Sequence, residues 1–221
     1  MKTIILFFLL FVAGPIAKEP VVDKKEAKEA FEFLNLVRTK PEQFYKEFPF
    51  LKGYDKRHLL RWNDTLARVA EAKALDMATK NYAGHVDKNG FGMNYHINKA
   101  GYLLKPSWLK DPAENYFESI NAGMPSGKEA IKSLLIDEGV PSLGHRRHLL
   151  GIDSFYRRLY DIGIGFVKGD STNTYRTYTC ILIAAHKKDP LLFSVCVCFP
   201  TVRCMKTALR SFVFSKPFEA T

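Results

Sequence analysis

The sequence predicts an α+β fold in which helices lead and antiparallel strands follow. Three observations carry this. Apolar residues recur at helical spacing through the first half; clear strand patterns come late, at Ile162–Val167 and Tyr178–Ile183; and no Gly-rich phosphate loop marks a βαβ unit. The 221 residues, 47% hydrophobic and 25% charged, have globular composition and suit one medium domain with short appendages.

The elements follow in chain order. Met1-Lys2, the unbroken apolar run Ile4–Ala13 and the small residues Gly14 and Ala17 read as a secretory signal peptide over residues 1–17. The run falls short of the ~18 residues that would span a bilayer. A domain over residues 24–186 comes next. Its first helix covers Asp23–Arg38, with Ala27, Ala30, Phe31, Leu34 and Val37 at helical spacing and Thr39-Lys40-Pro41 to stop it. A short segment through Phe44, Phe48 and Leu51 closes at Gly53. Asn63-Asp64 caps a second long helix carrying Leu66, Val69, Ala70, Ala74 and Met77 on one face. A Gly-punctuated loop, Gly84–Gly90, precedes a short helix stopped at Gly101. Ser126-Gly-Lys-Glu129 is a capping box opening a third helix with Ala130, Leu134 and Leu135. Leu143–Leu150, ended by Gly151, is a fourth. The two strands close the domain. No internal repeat is visible.

Residues 187–221 change character: Leu191–Phe199 is densely apolar and the remainder is basic without periodicity. These residues suit an extra strand, a tail, or a segment read from an altered frame, and they are treated as an extension.

Charge and cysteine narrow the function classes. The net charge is +10, of which five units lie in residues 18–185, so the body is only mildly basic and shows no nucleic-acid footprint. All four cysteines, Cys180, Cys196, Cys198 and Cys204, sit near the end and lack the paired spacing of a zinc site. The domain is therefore expected to rest on its core rather than on disulfides. No nucleophile elbow, Cys-His pair or cofactor loop supports covalent catalysis.

The polar residues that stand out are His85 in the Gly84–Gly90 loop, Glu114 after Asp111-Pro112-Ala113, Glu138 at the end of the third helix, and His145 in Gly144-His145-Arg146-Arg147-His148. Imidazoles and carboxylates together suit zinc or a similar divalent ion. His148, one turn after His145, reads as a helix-face residue directed elsewhere. Of Arg146 and Arg147, one is expected to salt-bridge within the domain and the other to face solvent, although a guanidinium pair also suits an anionic substrate.

The ordered set Phe33-Leu34-Asn35-Leu36-Val37-Arg38, Leu66, Gly84-His85 with Lys88-Asn89-Gly90, Ala100-Gly101-Tyr102, Ala113-Glu114-Asn115, Gly144-His145-Arg146-Arg147 and Ile162-Gly-Ile-Gly-Phe166 resembles the CAP superfamily. This is the SCP/PR-1-like group of cysteine-rich secretory, antigen 5 and pathogenesis-related proteins, and the likeness is to its secreted bacterial type. It covers about residues 27–186. It implies an α-β-α sandwich around a central antiparallel sheet, with two histidines and two acids converging in a cleft where some members bind zinc. Carried over, the histidines are His85 and His145 and the first acid is Glu114, preceded here by Ala113 instead of glycine. Glu138 is assigned as the second acid, at a shorter interval from its histidine than in eukaryotic members.

The expected protein is secreted, extracellular or periplasmic. Its cleft would hold a divalent metal and a ligand such as a lipid or peptide. Three roles fit that chemistry. In a metal-dependent hydrolase, Glu114 takes a proton from zinc-bound water; a binding cleft holds metal and ligand without turnover; a hydrogen-bonded network only orients loops. The resemblance implies binding or an effector role, with a lipid or sterol carrier as a further alternative.

Overall fold

The computed structural model describes residues 19–187; the signal segment 1–17, Cys196, Cys198, Cys204 and all but the first residue of the extension lie outside the described residues. Among the described residues, five α-helices and five strands form three layers, helices on either side of one sheet.

The long helices start where the sequence places their caps. In α1 (Lys24–Thr39) the Asp23 carboxylate accepts from the N–H groups of Lys25 and Glu26. In α2 (Asp64–Thr79) Asn63 does the same for Thr65 and Leu66, and in α4 (Gly127–Ile136) Ser126 Oγ accepts from Glu129 N. Each satisfies N–H groups that the first helical turn leaves unpaired. The shorter α3 (Met93–Lys99) and α5 (Gly144–Leu150) fall where glycines bracket apolar residues. The segment from Pro41 to Gly53 forms two 3-10 turns, Pro41–Phe44 and Pro49–Gly53.

The order of elements departs from helices first and strands last. β1 (Val21–Val22) and β2 (Arg61–Trp62) precede α1 and α2, and β3 (Glu118–Ala122) precedes α4. Two-residue strands carry no period, and β3 is interrupted by polar Ser119 and Asn121, so none shows as an apolar alternation. The long strands are β4 (Asp161–Lys168) and β5 (Thr177–Ala184), paired antiparallel along their whole length. β5 takes β3 antiparallel on its other side, while β1 and β2 share the outer edge of β4 at opposite ends. The β2–β4 pair is parallel, the exception in an otherwise antiparallel sheet.

The Ile-Gly-Ile-Gly-Phe run of β4 fixes how close the layers come. Ile162, Ile164 and Phe166 are fully buried. Gly163 and Gly165 point the other way, onto the α2 backbone, where a Cβ would collide with Leu66 and Ala67, and with Ala70 and Glu71, respectively. The strand thus alternates side chain and bare backbone, and α2 lies directly on it. Register assigns the faces: Glu118, Ile120, Cys180 and Leu182 share the α2 side with those glycines, whereas Ser119 and Asn121 look toward α4 and α5. Cys180 is a free, buried thiol on that α2 face.

Candidate functional site

The histidines singled out in the sequence meet beyond the free edge of β3, one from each helical layer. His85 follows α2 in a loop tied down by Asp87, whose Oδ1 accepts from Asn89 N and Phe91 N while Oδ2 lies 2.9 Å from His96 Nε2. His145 occupies the first turn of α5. The two rings lie 6.4 Å apart, centroid to centroid, with planes inclined by 28°.

Each ring has its own carboxylate. His85 Nδ1 lies 2.7 Å from Glu118 Oε2, and the Asn115 amide nitrogen is 2.9 Å from the same ring atom. The Glu118 side chain is wholly excluded from solvent. Cys180 Sγ donates to its other oxygen at 3.4 Å, so both carboxylate oxygens are met by donors. Burial, followed by the neighbouring Glu118 charge, raises the thiol pKa well above its usual value, and Cys180 stays a protonated donor.

Asp137 does two things at once. Its Oδ1 lies 2.7 Å from His145 Nδ1, while its Oδ2 accepts from the backbone N–H groups of His145 and Arg146 at 3.0 and 3.2 Å. It reaches α5 because it ends α4 in the left-handed region, at φ 53°, a conformation that Asp tolerates better than most residues. Arg146 closes the same corner. Its guanidinium donates to the carbonyls of Leu135 and Ile136 at the end of α4 and stacks over Phe50. Arg147 is exposed and pairs with Asp153 at 2.8 Å.

The acids chosen from sequence take other positions. Glu138 is exposed beside Asp137 and lines a groove with His145. Glu114 is half-buried, with Oε2 out of contact with any partner, next to the Asn115 that touches His85. The residues that bond the histidines are Glu118 and Asp137, which sequence reasoning passed over. Asp137 was one position from the chosen Glu138. Glu118 sits inside an unrecognised strand, and its only sequence signal was an acid between Phe117 and, two positions on, Ile120. His148 is buried in the core, its Nδ1 2.7 Å from Ser119 Oγ and its Nε2 3.5 Å from the Ile183 carbonyl.

Beside His145 runs a groove of ≈ 490 Å³ along β3, lined by Met77, Ala83, Ile120, Asn121, Ser133 and Val140 among others. A second groove of ≈ 470 Å³, between α2 and α3, has Val69, Ala72, Met93 and Ala100 on its walls and Asp76, Lys80 and Asp87 at its rim.

The donor set suits a divalent metal in part. With a carboxylate at each Nδ1, the free nitrogen of both rings is Nε2, which has no hydrogen-bond partner among the described residues; this is the outer-sphere arrangement of metal-binding histidines. An ion ~2.0–2.1 Å from both nitrogens at a tetrahedral angle sets the centroids about 5 Å apart. The observed 6.4 Å therefore asks for closure by roughly 1 Å. Among the described residues, no group of three or more His, Cys, Asp or Glu side chains converges on one point. The described residues thus leave two ring nitrogens free, fewer than the four donors of a closed zinc site.

A model of the Cysteine-rich secretory protein family (CAP) matches residues 31–182. No curated protein matches the sequence. Among solved structures, an outer surface protein from Borrelia burgdorferi is similar, with a TM-score of 0.50 and 18% identity over 78% of this chain and 100% of that one. An extracellular protein containing a SCP domain from Bacillus anthracis str. Ames aligns with a TM-score of 0.47 and 19% identity over 74% of this chain. The present chain spans 41% of the length of that Bacillus protein. These likenesses concern the fold.

Proposed function

Because the chain belongs to the CAP family of cysteine-rich secretory proteins, we propose that it is an exported cleft-binding protein whose His85–His145 pair holds a divalent cation, zinc first, for a ligand in the adjoining groove. One observation carries this reading: a buried carboxylate is committed to Nδ1 of each ring, which leaves Nε2 as the free nitrogen of both. Glu118 and Asp137 then keep the Nδ1 protons and orient the rings, while His85 and His145 supply nitrogen lone pairs. Bound zinc supplies a Lewis acid and an acidified water. Glu138, exposed on the groove wall, is proposed as an acid that approaches the ion from outside. A site with two protein nitrogens is weaker and more exchangeable than a closed four-ligand centre.

Export is supported by Lys2 ahead of the apolar run Ile4–Ala13, and by the similarity to an outer surface protein of Borrelia burgdorferi. Among the described residues no helix is long and apolar enough to cross a membrane. The Ser119–His148 contact is buried, which argues against that pair as a nucleophile and base.

Zinc titration of the purified protein tests the proposal. Stoichiometric zinc is expected in the parent and in His58→Ala, and its loss in His85→Ala and His145→Ala. Zinc uptake indifferent to both site substitutions would overturn it. Peptide hydrolysis abolished by chelation and by Glu114→Gln would replace it with the metal-dependent hydrolase. A carrier reading rests on the apolar walls of the α2–α3 groove and is separated by lipid binding that persists under chelation.

A further inference from the structure

Among the described residues, the edge of the sheet beside His145 is unpaired. β3 bonds to β5 on one side only. The register makes Phe117 and Gly123 partners of β5, with Ile183 N donating to the Phe117 carbonyl and Gly123 N donating to the Thr177 carbonyl. In an antiparallel ladder the bonded residues alternate, so Ser119 and Asn121 also face β5, and the N–H and C=O groups of Ile120 and Ala122 point away from the sheet. These groups find no partner among the described residues. Both residues line the ≈ 490 Å³ groove. Native proteins usually blunt such an edge with charge, proline or a covering segment; here it opens into a concave space.

The groove walls differ on the two sides of the strand. On the α2 side lie Ile120, Met77 and Ala83; on the α4 side lie Ser133 and Asn121, whose Oδ1 is buried without a partner although its Nδ2 donates to Ser133 Oγ. Glu138 stands exposed at the His145 end.

We propose that the occupant of this groove is an extended peptide segment that adds an antiparallel strand to β3. The peptide main chain satisfies Ile120 and Ala122, its apolar side chains lie on the Ile120–Ala83 wall, and its intervening hydroxyl or amide side chains meet Asn121 Oδ1 and Ser133. Main-chain bonds give the affinity of such strand addition and the alternating pockets give the selectivity. A five-residue partner extends about 17 Å and matches β3. A basic residue at the end near Glu138 completes the charge pairing. The inference deepens the cleft-binding reading by naming the ligand class, and strand pairing needs no metal.

The test is residue-resolved amide hydrogen exchange on the whole protein, in the presence of a chelator. The probe is an equimolar pool of capped heptapeptides Lys-x-Thr-x-Thr-x-Lys, with x drawn from Val, Ile, Phe and Tyr. Ile120 and Ala122 amides are expected to exchange quickly in the free protein and at least tenfold more slowly with the pool at millimolar concentration; Ser119 and Asn121 stay slow throughout. N-methylation at the x positions should abolish the protection and methylation at the Thr positions should spare it, because a residue paired opposite Ile120 presents its side chain to the same face. Ala83→Trp, an exposed substitution that fills the groove, should also remove it. Unchanged exchange at Ile120 and Ala122, or protection indifferent to methyl position, would overturn the proposal. So would slow exchange that depends on protein concentration without peptide, which would identify a second copy of the chain as the occupant. Protection under chelator in a protein that takes up no zinc would leave strand addition standing while the metal reading fails.

Discussion

His148 should make this domain sensitive to acid. Its ring is 3% exposed, held between Ser119 Oγ and the Ile183 carbonyl, with no carboxylate among these contacts. Burial is the main reason its pKa drops to about 3, and the nearby His145, Arg38 and His85 charges push the same way. In the unfolded chain the ring returns to its ordinary 6.5. The sign follows. Above 6.5 both states are neutral and the stability is fully present; between 6.5 and about 3 only the unfolded state takes the proton, so stability is lost steadily as pH falls. At ~1.36 kcal/mol per pH unit, moving from pH 7 to pH 5 costs about 2 kcal/mol, or roughly 4–8 °C in Tm for a domain of this size. Carboxylates add their own acid sensitivity, so the measurement is a difference. Urea unfolding of the parent and of His148→Gln at the two pH values should show the parent's advantage shrinking by about 2 kcal/mol on acidification. Ring NMR of the parent should show His148 untitrated down to pH 4.5. Parallel stability curves, or a His148 ring that titrates near pH 6, would refute the reasoning.

Other outcomes follow from the same geometry. Glu118→Gln replaces an acceptor-only carboxylate at His85 Nδ1 by an amide that can turn its N–H₂ toward the ring and shift the ring proton to Nε2; zinc affinity should fall ~10–100-fold in calorimetry while the fold persists by circular dichroism. Gly163→Ala places a methyl on the α2 backbone at Leu66 and Ala67, and should cost about 1–3 kcal/mol or more in chemical denaturation; an unchanged midpoint would mean the layers are not in contact there. Amino-terminal sequencing of secreted material should begin between Pro15 and Lys18, and an intact Met1 on the exported protein would contradict export by signal cleavage.

Sequence alone determined the long helices and the two long strands, because caps and periodicity are local properties. Asp23, Asn63 and Ser126 bond N–H groups two or three residues away, and the apolar faces of α1, α2 and α4 recur within a few turns. The Ile-Gly-Ile-Gly-Phe run, within an ordered set of short motifs, also sufficed to name the fold family. What tertiary structure decided was every pairing across a long loop. β3 is legible only through its register with β5, about sixty residues later, and without β3 there was no reason to choose Glu118 over Glu114. Asp137 rather than Glu138 meets His145 because a left-handed residue at the end of α4 turns its carboxylate back onto α5, and adjacent positions there differ by a backbone torsion that composition does not encode. His148, one helical turn from His145, reads from sequence as directed away from the site, but where it points is settled by the packing of α5 against the sheet, which buries it and so sets its protonation. A side chain's chemistry is written in its residue type, but its partner is chosen by packing between segments far apart in the chain.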